Sequence, residues 1–93
     1  MITAKEKSII RKISSRYRAR KVLLFGSSVR KDQGRARDID LAVSGVHRSD
    51  FFKFYGELLF SLSRPVDLVD LTRSSKFSRL VEKEGIRIYG KPD

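Results

Sequence analysis

The apolar residues of this chain fall into two rhythms that alternate from end to end. Ile9, Ile10, Ile13 and Tyr17 recur at helical spacing on one face, with Lys5, Arg11, Lys12, Arg16 and Arg18 on the other. Ahead of them, Thr3-Ala4-Lys5-Glu6 reads as a capping box, the Thr hydroxyl and the Glu carboxylate each accepting from a free N–H of the first turn. Val22-Leu23-Leu24-Phe25 is a continuous apolar run stopped by Gly26, the mark of a short buried strand. Ser27 or Ser28 is placed to cap a short helix, and Lys31-Asp32-Gln33-Gly34 reads as a loop. Asp38 to Val43 alternates as a strand and ends near Ser44-Gly45. Ser49 is placed to cap a helix through Leu62, whose positions Phe51, Phe52, Phe54, Tyr55, Leu58, Leu59 and Leu62 form a broad apolar stripe. Pro65 opens a third strand, Val66 to Leu71. Ser74 or Ser75 caps a last helix that carries Phe77, Leu80 and Val81 and stops at Gly85, before a final strand Ile86-Arg87-Ile88-Tyr89.

Strands separated by helices argue for an α/β domain with one sheet and helices packed on it. Ninety-three residues suffice for one such domain, spanning 1–93, and the 40% hydrophobic fraction suffices for its core. Cysteine is absent, which excludes a disulfide scaffold and a thiolate metal site. No apolar run approaches the roughly 20 residues that cross a bilayer, and the first residues lack a secretory apolar region. The expectation is a cytoplasmic protein with no membrane partner.

Charge sharpens the picture. Residues 1–37 carry twelve Lys/Arg against two acids, and residues 38–93 carry nine of each, so the whole net charge of +10 lies ahead of Asp38. Such a block suits a polyanion: a nucleoside triphosphate, a nucleic acid or an acidic protein face. A solvated helix face explains it equally well.

Three carboxylates stand out by position. Asp38 and Asp40, two apart on a strand, point to one face with Cα atoms about 6.6 Å apart, while Ile39, Leu41 and Val43 take the other. Asp67 lies among apolar residues of the next strand, with Val66, Leu68 and Asp70 opposite in parity. If the two strands are neighbours, Asp67 stands beside the pair, and clustered carboxylates that repel one another become a site for divalent cations. Arg64 or Arg37 could instead hold Asp67 in an ion pair. Gly26-Ser27, directly after a strand, lets backbone approach a phosphate and offers N–H donors. No Walker loop or dinucleotide fingerprint is present. Asp70 reads as a strand-end residue, His47 as an exposed loop residue, and the Phe51–Phe60 aromatics as core rather than a base-stacking platform.

The combination Gly26-Ser27, ten residues, then Asp38-Ile39-Asp40 is more specific than its parts. With this G-S-x10-D-x-D spacing, the stretch FGSSVRKDQGRARDIDLAV, the later PVDLVDL and the ending Val81 to Tyr89, the chain resembles the DNA polymerase beta-like nucleotidyltransferases, and most of all the minimal nucleotidyltransferases. The resemblance implies a small nucleotidyltransferase fold with a mixed sheet of about four strands. It implies that Gly26, Ser27 and Arg30 hold the phosphates of ATP. Asp38, Asp40 and Asp67 would bind two Mg²⁺, and Asp67 would help deprotonate an acceptor hydroxyl. Ser28 and Lys31 depart from the Arg and Gly common in the family, and Arg37 from a small Ser.

Little of the sequence remains to form a separate acceptor-binding domain, so a partner or a homo-oligomer is expected to supply that surface. Minimal family members resemble antitoxins paired with a helical HEPN toxin, modified on a tyrosine. The resemblance therefore implies transfer of AMP to such a partner. Two rival readings are a nucleotide- or partner-binding module without turnover, and a small-molecule, antibiotic-type nucleotidyltransferase acting as an oligomer. Nucleic-acid binding alone is disfavoured.

Overall fold

In a computed structural model, residues 2–29, 38–72 and 75–91 are described. The chain runs α1 (Ala4–Arg16), β1 (Lys21–Leu24), a 3-10 turn (Gly26–Val29), β2 (Ile39–Ser44), a second 3-10 turn (Arg48–Asp50), α2 (Phe51–Ser61), β3 (Val66–Asp70), α3 (Lys76–Glu84) and β4 (Ile86–Gly90). The strands form one sheet in the order β3-β2-β1-β4. Strand β1 is antiparallel to both β2 and β4, whereas β2 and β3 are parallel, with α2 as the crossover a parallel pair requires. This is the mixed four-stranded sheet expected.

Strand parity divides the core. On one face Val22, Leu24, Ile39, Leu41, Val43 and Leu68 pack with Ile10 and Ile13 of α1 and Phe54 and Leu58 of α2. The other face is smaller, with Leu23, Ala42 and Leu71 packed on Val81 of α3.

Helix α1 begins as its sequence dictates. Thr3 Oγ1 accepts from the Glu6 N–H at 3.0 Å, and Glu6 Oε1 accepts from the Thr3 N–H at 2.8 Å. The Glu6 carboxylate also receives the fork of Arg64, Nε at 2.9 Å to Oε2 and a terminal nitrogen at 2.9 Å to Oε1. One side chain thus starts α1 and fastens it to the segment that enters β3. The helix ends in a left-handed residue, Arg18 (φ 57°), with Arg18 N–H donating to Ser15 and Ala19 N–H to Ser14. That is a Schellman closure with Arg where Gly is usual.

Part of the basic block is spent inside the fold. The β1–β4 pairing skips Ile88, and Arg11 donates at 2.8 Å to the Ile88 carbonyl that this bulge takes out of the ladder. Arg16 and Tyr17 both reach Glu57 of α2, and that carboxylate raises the Tyr17 hydroxyl above its ordinary 10.0. Lys21, itself buried, pairs with Glu82 of α3. Arg11 and Arg16 are therefore structural ties rather than members of a free basic face.

Two local expectations change. Ser49 does not cap α2; it lies in the preceding 3-10 turn, where its N–H is accepted by His47 Nδ1 at 3.2 Å, and α2 ends at Ser61. The apolar stripe of α2 is also narrower. Phe54 and Leu58 are fully buried, but Phe52 and Phe60 are 81% and 92% exposed. Each stands two positions from a buried residue, about 200° round the helix. Ser75, in contrast, caps α3 with a box closed by Ser78.

Arg64 holds the Glu6 carboxyl below its ordinary 4.5. A depressed carboxyl contributes stability that is complete above the unfolded value and disappears as pH falls through the folded one. Glu6→Gln keeps the reach to Thr3 but loses the charge-assisted bonds, and should lower stability by about 1–3 kcal/mol at neutral pH. Thermal unfolding from neutral pH to about pH 3 should show the wild-type and variant curves converging below pH 4.5. A gap that stays constant into acid would contradict this.

Candidate active site

The site grows from the end of β1. Phe25 N–H donates to the Asp40 carbonyl at 3.0 Å, extending the antiparallel register one residue beyond the Leu24–Leu41 pair. The chain then turns sharply at Gly26, whose φ of +64° is left-handed. A Cβ at Gly26 would lie 2.9 Å from Asp40 Oδ2. Glycine is therefore called for by the backbone angle, and any Cβ there would also oblige the Asp40 carboxylate to move.

Asp40 projects from β2 on the smaller face of the sheet, half-buried, because Ile39, Leu41 and Val43 occupy the main core. The parallel register pairs Asp40 with Asp67 of β3. Paired residues of adjacent strands share a face, so the two carboxylates stand on neighbouring strands about 4.8 Å apart. Across the sheet the row reads Asp67, Asp40, Phe25. Among the described residues the Asp67 carboxylate has no hydrogen-bond or ion-pair partner, and the Arg64 fork, which could have paired with it, reaches Glu6.

Asp38 is exposed and sits just ahead of β2 rather than within it, since the strand starts at Ile39, whose N–H donates to the Pro65 carbonyl at 2.9 Å. Among the described residues no group of three His, Cys, Asp or Glu side chains is arranged to hold a metal ion. The register unites Asp40 with Asp67, and Asp38 is two residues from Asp40 in the chain. Carboxylate oxygens are nonetheless the donors that Mg²⁺ prefers. Gly26 and the backbone of Ser27 lie in the 3-10 turn against Asp40, whereas the Ser27 side chain and all of Arg30 and Lys31 fall outside the described residues. Asp70 closes a strand-end turn, its Oδ1 accepting from Thr72 N–H at 2.9 Å.

Sequence reading did not find the pocket beside this row. It has a volume of about 280 Å³ and is walled by Phe25, Gly26, Val29, Phe77, Leu80 and Glu84. Phe77 and Leu80, apolar residues that α3 carries, are each 51% exposed beside this pocket. The one signal was Phe25, an aromatic directly before the phosphate-type glycine.

The family model for "Polymerase beta, Nucleotidyltransferase" matches residues 7–93. Among solved structures, a chain of the toxin–antitoxin complex MntA–HepT superposes with a TM-score of 0.70 at 23% identity, covering 96% of this chain and 74% of that one. A toxin–antitoxin structure with AMP-PNP gives 0.70 at 26% identity, covering 91% and 73%. A complex of a tri-AMPylated HEPN toxin with its MNT antitoxin from Shewanella oneidensis gives 0.70 at 25% identity, covering 94% and 71%. No curated protein sequence matches the chain.

The Gly26 contact makes a direct prediction. Gly26→Ala should lower unfolding free energy by about 1–3 kcal/mol, from left-handed strain at a non-glycine residue together with the Asp40 contact. In urea denaturation, adding Asp40→Ala should recover part of that loss, since it removes the atom in conflict. Strict additivity of the two variants would show that they do not touch.

Proposed function

We propose that this chain, which belongs to the polymerase beta nucleotidyltransferase family, transfers AMP from ATP to a hydroxyl of a helical, HEPN-type partner protein and thereby acts as an antitoxin. The observation that carries the reading is the register of Asp40 against Asp67 with Gly26 closed onto Asp40. Support comes from the company the fold keeps: one similar structure holds AMP-PNP and another includes a toxin modified with AMP.

The chemistry follows from the row. The acceptor oxygen, taken as a tyrosine hydroxyl, attacks the α-phosphorus in line; a new O–P bond forms, the bond to the bridging β oxygen breaks, and pyrophosphate leaves. Transfer of this kind is limited by positioning and charge neutralisation. Asp67 would receive the hydroxyl proton; its position on the edge strand and the lack of a partner among the described residues support that role. Gly26 and Ser27 offer backbone to the phosphates. Asp38, Asp40 and Asp67 would hold two Mg²⁺, which when bound would neutralise phosphate charge and ease loss of the acceptor proton.

A partner also suits the outer flank of α2, where Phe52, Leu59 and Phe60 stand exposed around Gly56. Apolar patches of this kind mark interaction surfaces.

Labelled ATP, Mg²⁺ and the HEPN-type partner test the reading. Label should appear on the partner and disappear with chelator. Asp38→Asn, Asp40→Asn and Asp67→Asn should each reduce transfer by about 10²-fold or more while leaving partner capture intact. Phe60→Asp should do the reverse, weakening capture while ATP binding persists. Tight capture with no label on any acceptor would make the protein a binding module instead.

A further inference from the structure

We propose that the pocket between the end of β1 and α3 receives the base of the nucleotide, and that this base is recognised chiefly by stacking on Phe77. The proposal rests on the nucleotidyltransferase reading and adds the orientation of the substrate. Gly26 joins the two places, because it belongs to both: a Cβ there would touch Asp40 Oδ2, and its backbone is a wall of the pocket. Phe25 shares the face and the register of Asp40 and forms the next wall. The row across the sheet is thus carboxylate, carboxylate, aromatic ring.

The two ends of that row suit the two ends of a nucleotide. Phosphates belong near the carboxylates and the Gly26 turn, where cations and backbone N–H groups can meet them. They do not belong in the pocket, whose described walls carry no cation and whose single charged side chain is Glu84. The remaining walls are Phe25, Val29, Phe77, Leu80 and Val81, a lining for a flat apolar-faced ring. Phe25 and Phe77 meet edge to face, with centroids 6.0 Å apart and planes at 84°, so they do not cover each other's faces by stacking. Phe77 and Leu80 are each 51% exposed although Val81 beside them is buried. Glu84, acceptor-only when ionised, is suited to an exocyclic amine such as that of adenine.

The chain has no Trp, so Phe77→Trp installs a single indole in the pocket. Its fluorescence should be quenched by ATP with Mg²⁺ and not by tripolyphosphate with Mg²⁺, which has no base. Phe77→Ala and Leu80→Ser should weaken ATP on the order of tenfold and leave tripolyphosphate affinity unchanged. Their thermal unfolding reports whether these half-exposed sites tolerate the change. Equal quenching by both ligands, or equal loss of both in folded Phe77→Ala, would overturn the proposal. So would unchanged ATP affinity with lost partner capture, which would make Phe77 part of the protein interface. Those outcomes leave the nucleotidyltransferase reading standing. Wild-type protein that binds neither ATP nor tripolyphosphate would sink both.

Discussion

Strand β2 buries Ile39, Leu41 and Val43 completely, and this burial decides which way Asp40 points. Three such side chains are worth about 5–9 kcal/mol against exposure. Two carboxylates on strands about 4.8 Å apart near a protein surface repel by roughly 1–4 kcal/mol. Apolar burial outweighs that repulsion, so the fold can hold Asp40 beside Asp67 without their attracting each other. A slip of one residue would place all three apolar chains on the wrong face. The chemistry is therefore held in place by residues that never touch it.

Around that strand the molecule repeats a device: one side chain serves two elements. Glu6 closes the capping box of α1 and takes Arg64 from a segment 58 residues away. Arg11 leaves α1 to satisfy the carbonyl at the β4 bulge. Gly26 ends the excursion of β1, admits Asp40 and borders the pocket. In a domain this small such double use compensates for limited core volume. Arg11 and Lys21, two cations of the basic block, are tied into the fold in the same way.

Local chemistry was readable from the sequence wherever it depends on near neighbours. The Thr3–Glu6 box, the Ser75 cap, the strand parity of Ile39 to Val43 and the turn role of Asp70 all follow from residues a few positions apart. The pairing of Asp40 with Asp67 needed one further fact, that β2 and β3 are neighbours, and the family resemblance rather than periodicity argued for it. Exposure was harder. Periodicity tells which side chains share a face but not what covers it, so Phe52 and Phe60 looked like core, and nothing in the pattern of α3 foretold the half-exposure of Phe77 and Leu80. The helix start after Ser49 was misplaced because His47 offers a competing acceptor two residues earlier. Arg11 and Arg64 have partners far along the chain that no local pattern can name.

The strand order has a consequence for how the protein is made. Strand β1 lies inside the sheet between β2 and β4, yet β4 follows all the other strands along the chain. During synthesis, β1, β2, α2 and β3 all emerge before β4 can cover the other edge of β1. Until residues 86–90 arrive, a fully buried strand keeps an open ladder of N–H and C=O groups, the kind of edge that captures other chains. The nascent protein thus passes through a sticky interval that ends when β4 closes over β1.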